Sequence, residues 1–210
     1  MSQISLPFDW SGRERDGEFL VSDANRIAVA HLENWRDWRL AVTILSGPPR
    51  SGRSTLAREF VRLSGGTAID DAQGRDEHML FHAWNRAQIE GRPLLLVGHS
   101  APAQWTIALP DLRSRLFAAP HVTIAEPDEA LALALIERGL ATAGAAFAPD
   151  VPSWLLRRIE RSYAAIAATV RLLDGAALSS GRKISVALAK EALQAAGILP
   201  IASDDPVADP

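Results

Sequence analysis

Short apolar runs and stretches of helical spacing alternate along the first 125 residues. The runs are Ala41-Val42-Thr43-Ile44-Leu45, Thr67-Ala68-Ile69, Leu94-Leu95-Leu96-Val97 and His121-Val122-Thr123-Ile124-Ala125. Each is strand-length, rich in branched residues and without polar alternation, which is the pattern of strands buried on both faces. Between them apolar residues recur at helical spacing. A helix is expected from Ser22 or Asp23, either of which can cap it, with Ile27, Ala30 and Leu32 on its apolar side and Trp35 and Trp38 near its end. A second runs from Thr55 to about Leu63 and stops at Gly65-Gly66. A third, Glu77 to Ile89, presents Leu80, Phe81, Trp84 and Ala87. Strands alternating with helices predict an α/β fold with a parallel sheet covered on both faces.

The texture changes after Pro127. Asp128 to Ala143 is alanine- and leucine-rich and helical, and Pro149 to Arg158, Ser162 to Ser179 and Ser185 to Ala196 read as three more helices. Tyr163, Ile166, Val170 and Leu173 share one face, and Gly181-Arg182-Lys183 separates the last two helices. The expected organisation is therefore a flexible arm over 1–16, an α/β base over 17–126, an all-helical lobe over 127–198 and a disordered acidic tail over 199–210. No internal repeat is visible.

The segment joining the first strand to the second helix carries the chemistry. Gly47-Pro48-Pro49-Arg50-Ser51-Gly52-Arg53-Ser54, followed by Thr55, meets the phosphate-loop pattern Gly-x4-Gly-Lys-Ser/Thr except that Arg53 replaces the lysine. Strand, glycine-bounded loop and helix give the motif its meaning. Backbone N–H groups and the positive end of the helix hold phosphates in such a loop, and the serine, here Ser54, ligates magnesium. Arginine keeps the charge of lysine but is longer, planar and forked. Reduced hydrolysis is the expected consequence. Asp70-Asp71 ends the next strand, where one carboxylate would hold magnesium and the other would polarise the attacking water. A solvated turn is the alternative for the pair.

Bulk properties narrow the classes. The 210 residues fit one domain with a small lobe. A formal net charge of −3 supplies no general attraction for nucleic-acid phosphates, which leaves only a local basic patch open, and direct specific DNA binding is not expected. There are no cysteines, hence no disulfides and no thiolate metal site. No stretch is long and apolar enough to span a membrane, and the N-terminus lacks a secretory signal, which makes a cytoplasmic protein the default expectation. His78 and His82 lie four apart on a helix but lack a third ligand, so they read as ordinary histidines. Leu109-Pro110-Asp111-Leu112-Arg113-Ser114-Arg115-Leu116 places two arginines beside a buried strand. They are either solvated or, at a subunit edge, able to reach a neighbouring phosphoryl-transfer site.

Phe19-Leu20-Val21-Ser22 followed by Asn25-Arg26-Ile27-Ala28, the glycine loop, Ile69-Asp70-Asp71 and Leu109 to Leu116 together resemble the ATPase module of the bacterial replication initiator DnaA. More closely the chain resembles the Hda (HdaA) family of DnaA-related regulators, over roughly Gln3 to Leu193. Three features carry that preference: the Gly52-Arg53-Ser54 form of the loop, a sequence that ends after the helical lobe, and Gln3-Ile4-Ser5-Leu6-Pro7-Phe8, which looks like the peptide that binds the DNA polymerase sliding clamp. In such a peptide Gln3 bonds at a pocket rim while Leu6 and Phe8 fill an apolar hole.

The resemblance implies a P-loop AAA+ base with a helical lid. It implies partners, the sliding clamp and DnaA, whose ATP hydrolysis such regulators stimulate. It implies that Arg115 is the arginine finger, that Leu20, Val21 and Asn25 bind nucleotide with Gly47 to Thr55, and that the nucleotide is ADP or ATP. Asp71 would be a residual base. A homo-oligomer stays open. Three departures are visible. Only fifteen residues separate Ser54 from Asp70, so one edge strand of the sheet should be missing. His99 is the nearest candidate for the polar sensor after the Leu94 strand, and Ala164 stands where a lid arginine is expected, with Arg161 and Arg157 nearby. The leading expectation is a clamp-bound regulator of replication initiation, itself not an efficient ATPase. The alternatives are an autonomous P-loop ATPase, such as a helicase-loader relative, and a DnaA-like adaptor that stimulates nothing.

Overall fold

The computed structural model describes residues 19–200. The Gln3–Phe8 motif and the tail from residue 201 lie outside the described residues. Twelve elements follow in order: α1 (Arg26–Glu33), β1 (Val42–Ser46), α2 (Arg53–Ser64), β2 (Thr67–Ile69), α3 (Glu77–Glu90), β3 (Leu94–Val97), α4 (Pro110–Ala118), β4 (His121–Thr123), α5 (Glu129–Ala143), α6 (Val151–Leu156), α7 (Tyr163–Ser180) and α8 (Val186–Ala195).

The strands form a parallel four-stranded sheet in the order β2-β3-β1-β4. The short link between Ser54 and Asp70 has room only for the rest of α2 and the strand β2, which lies at the edge, as the expected loss of one strand requires. The continuous apolar runs have a simple cause. Leu95 and Val97 face one layer, with α1 and α2, while Leu94 and Leu96 face the other, with α3 and α4. All four are essentially inaccessible to water. The β1 strand divides likewise, Leu45 to the first layer and Val42 and Ile44 to the second. Trp84 and Trp105 fill the second layer, and Trp38 stacks between His31 and Phe60 in the first.

Helix α1 corrects the expected amphipathic face. Ala28, Val29 and Leu32 are buried, whereas Ile27 is 69% exposed and Ala30 is also exposed. The helix begins later than expected, and the bond from Ala125 N–H to the Ala24 carbonyl (2.8 Å) ties its entry to the end of β4. That tether fixes the roll of the helix, so periodicity alone picked a face rotated from the true one. The segment Leu109–Leu116 is itself mostly helical, with Pro110 in the first turn of α4.

Helices α5 to α8 pack around a separate apolar cluster of Ile136, Leu140, Leu155, Ile166, Leu173 and Leu188 among others. Leu131 and Tyr163 instead join the first-layer core of the sheet. The Tyr163 hydroxyl donates to the Ala125 carbonyl at 3.1 Å. Burial, and then the nearby charges of Glu126 and Asp128, push the Tyr163 phenol up to about 12.

Tyr163 is the chain's single tyrosine, so its ionisation can be followed without overlap. The folded protein should show tyrosinate absorbance rising near pH 12, and the unfolded chain near pH 10. Because the folded pKa is raised, the stabilisation is complete below about pH 10 and is lost as pH climbs through about 12. Tyr163→Phe should remove that part of the alkaline destabilisation in denaturant titrations.

Candidate functional site

The loop after β1 is shaped by backbone geometry. A methyl group at Gly47 would lie 2.9 Å from Ile124 Cβ and 3.0 Å from the Ile124 carbonyl oxygen, so only glycine lets β1 turn this close to the chain leaving β4. Arg50 and Gly52 both take left-handed φ values, 64° and 87°. Left-handed residues are what curl a backbone into an anion nest. Gly52 caps the start of α2, and a Cβ there would meet Phe19 Cε2 at 2.7 Å. Phe19 therefore roofs the loop. The Pro48 carbonyl accepts the Ser51 N–H at 3.3 Å, closing the turn. The Ser51 hydroxyl is buried beside Gly47 and has no hydrogen-bond partner among the described residues. Pro49 and Arg50 are exposed, and the Thr55 hydroxyl accepts from Arg58 at 3.3 Å.

The polar residues meet across the ends of three strands. The Ser54 hydroxyl donates to Asp70 Oδ2 at 2.5 Å, bringing together the two oxygen donors expected to hold magnesium. A hydroxyl and a carboxylate at one point suit that ion, which keeps several waters and takes few protein ligands. Asp71, in a left-handed conformation, directs the chain into the turn Ala72–Gly74. Arg53 reaches across the site, and its Nη1 donates to the Gly98 carbonyl at the end of β3. Burial lowers its pKa, against the raising influence of Asp70 and Asp71. The charge that a loop lysine would offer to terminal phosphates is here turned to a backbone carbonyl and two carboxylates.

His99, the sensor candidate, is clasped by Gln73. Its backbone N–H donates to Gln73 Oε1 at 2.8 Å, and the Gln73 amide donates to the ring Nε2. Asn25 is buried and spends its side chain on the preceding turn, accepting from Ser22 N–H at 2.9 Å and donating to the Leu20 carbonyl at 2.8 Å. It shapes the Leu20-Val21 turn, in which Leu20 is half-buried and Val21 exposed. Ala164 is exposed in the first turn of α7. Arg161 pairs with Glu129 at 3.8 Å, Arg158 stacks on Trp154, and Arg157 is exposed.

Arg115 is elsewhere. Helix α4 carries the chain back from the C-terminal strand ends, where the loop lies, to the start of β4, and Arg115 is in its last turn. Its Nη1 donates to Asn85 Oδ1 on α3 at 2.5 Å, and its guanidinium carbon lies 4.6 Å from the centre of the Phe81 ring. Among the described residues there is no group of three acidic or imidazole side chains placed to hold a metal. Gln73 and Gly98 carry no role in the sequence reading, and Phe19 enters it only as a member of the Phe19-Leu20-Val21-Ser22 segment. Only Phe19, just ahead of the Leu20-Val21 turn, had any local signal.

No protein-family model matches the chain. Solved structures do. Domain III of the replication initiation protein DnaA from Thermotoga maritima superposes with a TM-score of 0.72 at 14% identity, covering 84% of this chain and 94% of that one. The AAA+ architecture is this chain's fold. AMPPCP-bound DnaA from Aquifex aeolicus matches with a TM-score of 0.58 at 18% identity over 78% of this chain, and this chain spans 66% of it. The Holliday junction branch migration motor RuvB from Thermotoga maritima gives 0.62 at 15% identity, over 82% of this chain and 68% of that one. Within this AAA+ frame the described residues hold no helix long and apolar enough to cross a membrane.

The loop geometry makes a direct prediction. Gly52→Ala combines a left-handed backbone with a clash against Phe19. It should cost about 2 kcal/mol in urea unfolding. Ser54→Ala, which removes an exposed hydrogen bond, should cost less than about 1 kcal/mol.

Proposed function

We propose that this protein is a DnaA-related regulator of replication initiation, of the Hda kind, that offers Arg115 to the ATP site of DnaA. The observation that carries this reading is the contrast between two of its half-buried arginines, Arg53 and Arg115. Arg53, at its own phosphate loop, is committed to Gly98 and to the field of Asp70 and Asp71. Arg115, at the other end of the sheet, makes no ion pair among the described residues and rests on a neutral amide and an aromatic ring. Its charge is therefore available to an anion from outside. An arginine supplied in trans stabilises the charge that spreads over a transferring phosphoryl group.

In this reading Gln3, Ile4, Ser5, Leu6, Pro7 and Phe8 bind the sliding clamp and bring the protein to DNA-loaded clamp in the cytoplasm. Residues 17–126 and 127–198 act as base and lid. The protein's own loop, Gly47 to Thr55 with Leu20 and Val21, retains an adenine nucleotide, ADP in the resting form. The AMPPCP-bound DnaA structures favour adenine as the base. Ser54 and Asp70 would hold magnesium, which supplies charge neutralisation at the phosphates. With Arg53 turned away, hydrolysis in cis is slow.

The Ser54–Asp70 pair also favours a second reading, an autonomous ATPase with Asp71 as base. Both are tested by one assay, turnover of DnaA-bound ATP with DNA-loaded clamp. Wild type should stimulate turnover, and Arg115→Ala should lose about a thousandfold of that stimulation. Equal stimulation by Arg115→Ala would remove the finger assignment. Magnesium-dependent turnover by this protein alone, abolished in Asp71→Asn, would establish the second reading. Clamp capture that survives Gln3→Ala with Phe8→Ala would refute the assignment of clamp binding to the Gln3–Phe8 segment.

A further inference from the structure

Three residues one helical turn apart on α3, Glu77, Phe81 and Asn85, form a single stripe that meets α4 along its length. Glu77 caps the start of α4, its two carboxylate oxygens accepting the backbone N–H groups of Ala108 at 2.8 Å and Leu109 at 2.7 Å. Phe81 lies under the Arg115 guanidinium at 4.6 Å. Asn85 accepts one of its N–H groups at 2.5 Å.

We propose that Phe81 and Asn85 are positioning residues for Arg115, forming a charge-neutral seat that presets the guanidinium for a phosphoryl group on a partner. The inference rests on the trans role of Arg115 and adds how this chain prepares it. The choice of side chains is the argument. A guanidinium has five N–H donors, and Asn85 engages only one terminal nitrogen. An aspartate at 85 would link the helices at least as firmly, but it would neutralise the charge and compete with any incoming phosphate. The aromatic face of Phe81 attracts the cation without using any donor. The seat thus restrains a long side chain while keeping its charge and its remaining donors for the partner. Pre-set groups lose less freedom when the transition state forms. Glu77 fixes the helix from which the arginine projects.

The test pairs two substitutions at one position. Asn85→Asp should leave denaturant stability equal or higher. It should lower the maximal stimulated turnover of DnaA-bound ATP about tenfold, with the half-saturating protein concentration unchanged. Asn85→Ala should also lower the maximum, and Phe81→Tyr should retain it where Phe81→Ala does not. A role confined to joining α3 and α4 predicts instead that Asn85→Asp stimulates like wild type, and that result would overturn the seat. Failure of the trans reading is separately visible, because Arg115→Ala would then match wild type, and the seat would fall with it. A readout on the free full-length protein needs no partner. Nitrogen NMR should find rotation of the Arg115 guanidinium restricted in wild type and freed in Asn85→Ala, and free rotation in wild type would likewise overturn the proposal.

Discussion

The bond from Arg53 to the Gly98 carbonyl joins the start of α2 to the chain leaving β3, at the point where a phosphate would enter. Gly98 follows β3, Arg53 begins α2, and the loop between β1 and α2 lies beside them. Two properties that a phosphate loop normally combines are separated here. Shape comes from backbone, through the close approach of Gly47 to Ile124 and the left-handed turns at Arg50 and Gly52. Charge comes from the side chain at position 53, and a long planar fork can reach a carbonyl on the next strand. An anion entering the nest must draw Arg53 away from Gly98 and from the pull of Asp70 and Asp71. The nest keeps its form without help from that charge.

Neither a lysine at the loop nor an arginine at 164 is present to offset the charge of a terminal phosphate. Two of the lid cations near Ala164 are engaged within the lid, Arg161 with Glu129 and Arg158 with Trp154. Loss of cation delivery at the loop leaves the α3–α4 layer untouched. That layer is held by Trp84, Trp105, Leu112 and Leu116 on the second face of the sheet. The α3–α4 layer that carries Arg115 packs on the opposite face of the sheet from α2, which carries Arg53. A regulator acting on another protein's nucleotide needs the first and can relax the second.

Most of the architecture was legible because it depends on local pattern. Leu94 to Val97 can be apolar at four successive positions only if both faces of the strand are covered, and they are. The short Ser54-to-Asp70 link limited the sheet, and the glycine loop with its flanks located the nest. What stayed hidden depends on partners distant in sequence. Nothing around Gln73 announces its clasp on His99, 26 residues away. Asn85 and Arg115 are 30 residues apart, and each alone reads as a surface residue. Periodicity places Ile27 on the wrong face because the entry of α1 is tethered to the end of β4, which periodicity does not contain.

The same distinction bears on function. A motif at fixed spacing identifies a loop that can hold phosphate, but it cannot say where the charge beside it points. Arg53 and Arg115 are the same residue type, both half-buried, each making one hydrogen bond to a neutral acceptor. Their surroundings differ. Carboxylates bear on one and an aromatic face lies under the other. A cation surrounded by carboxylates gains little from a further anion, since that anion must first overcome repulsion from the acids already there. A cation on an uncharged seat gives its full attraction to whatever phosphate reaches it. In this chain the second arrangement belongs to Arg115, and that difference in compensation, more than the loop motif, argues for chemistry performed on a partner.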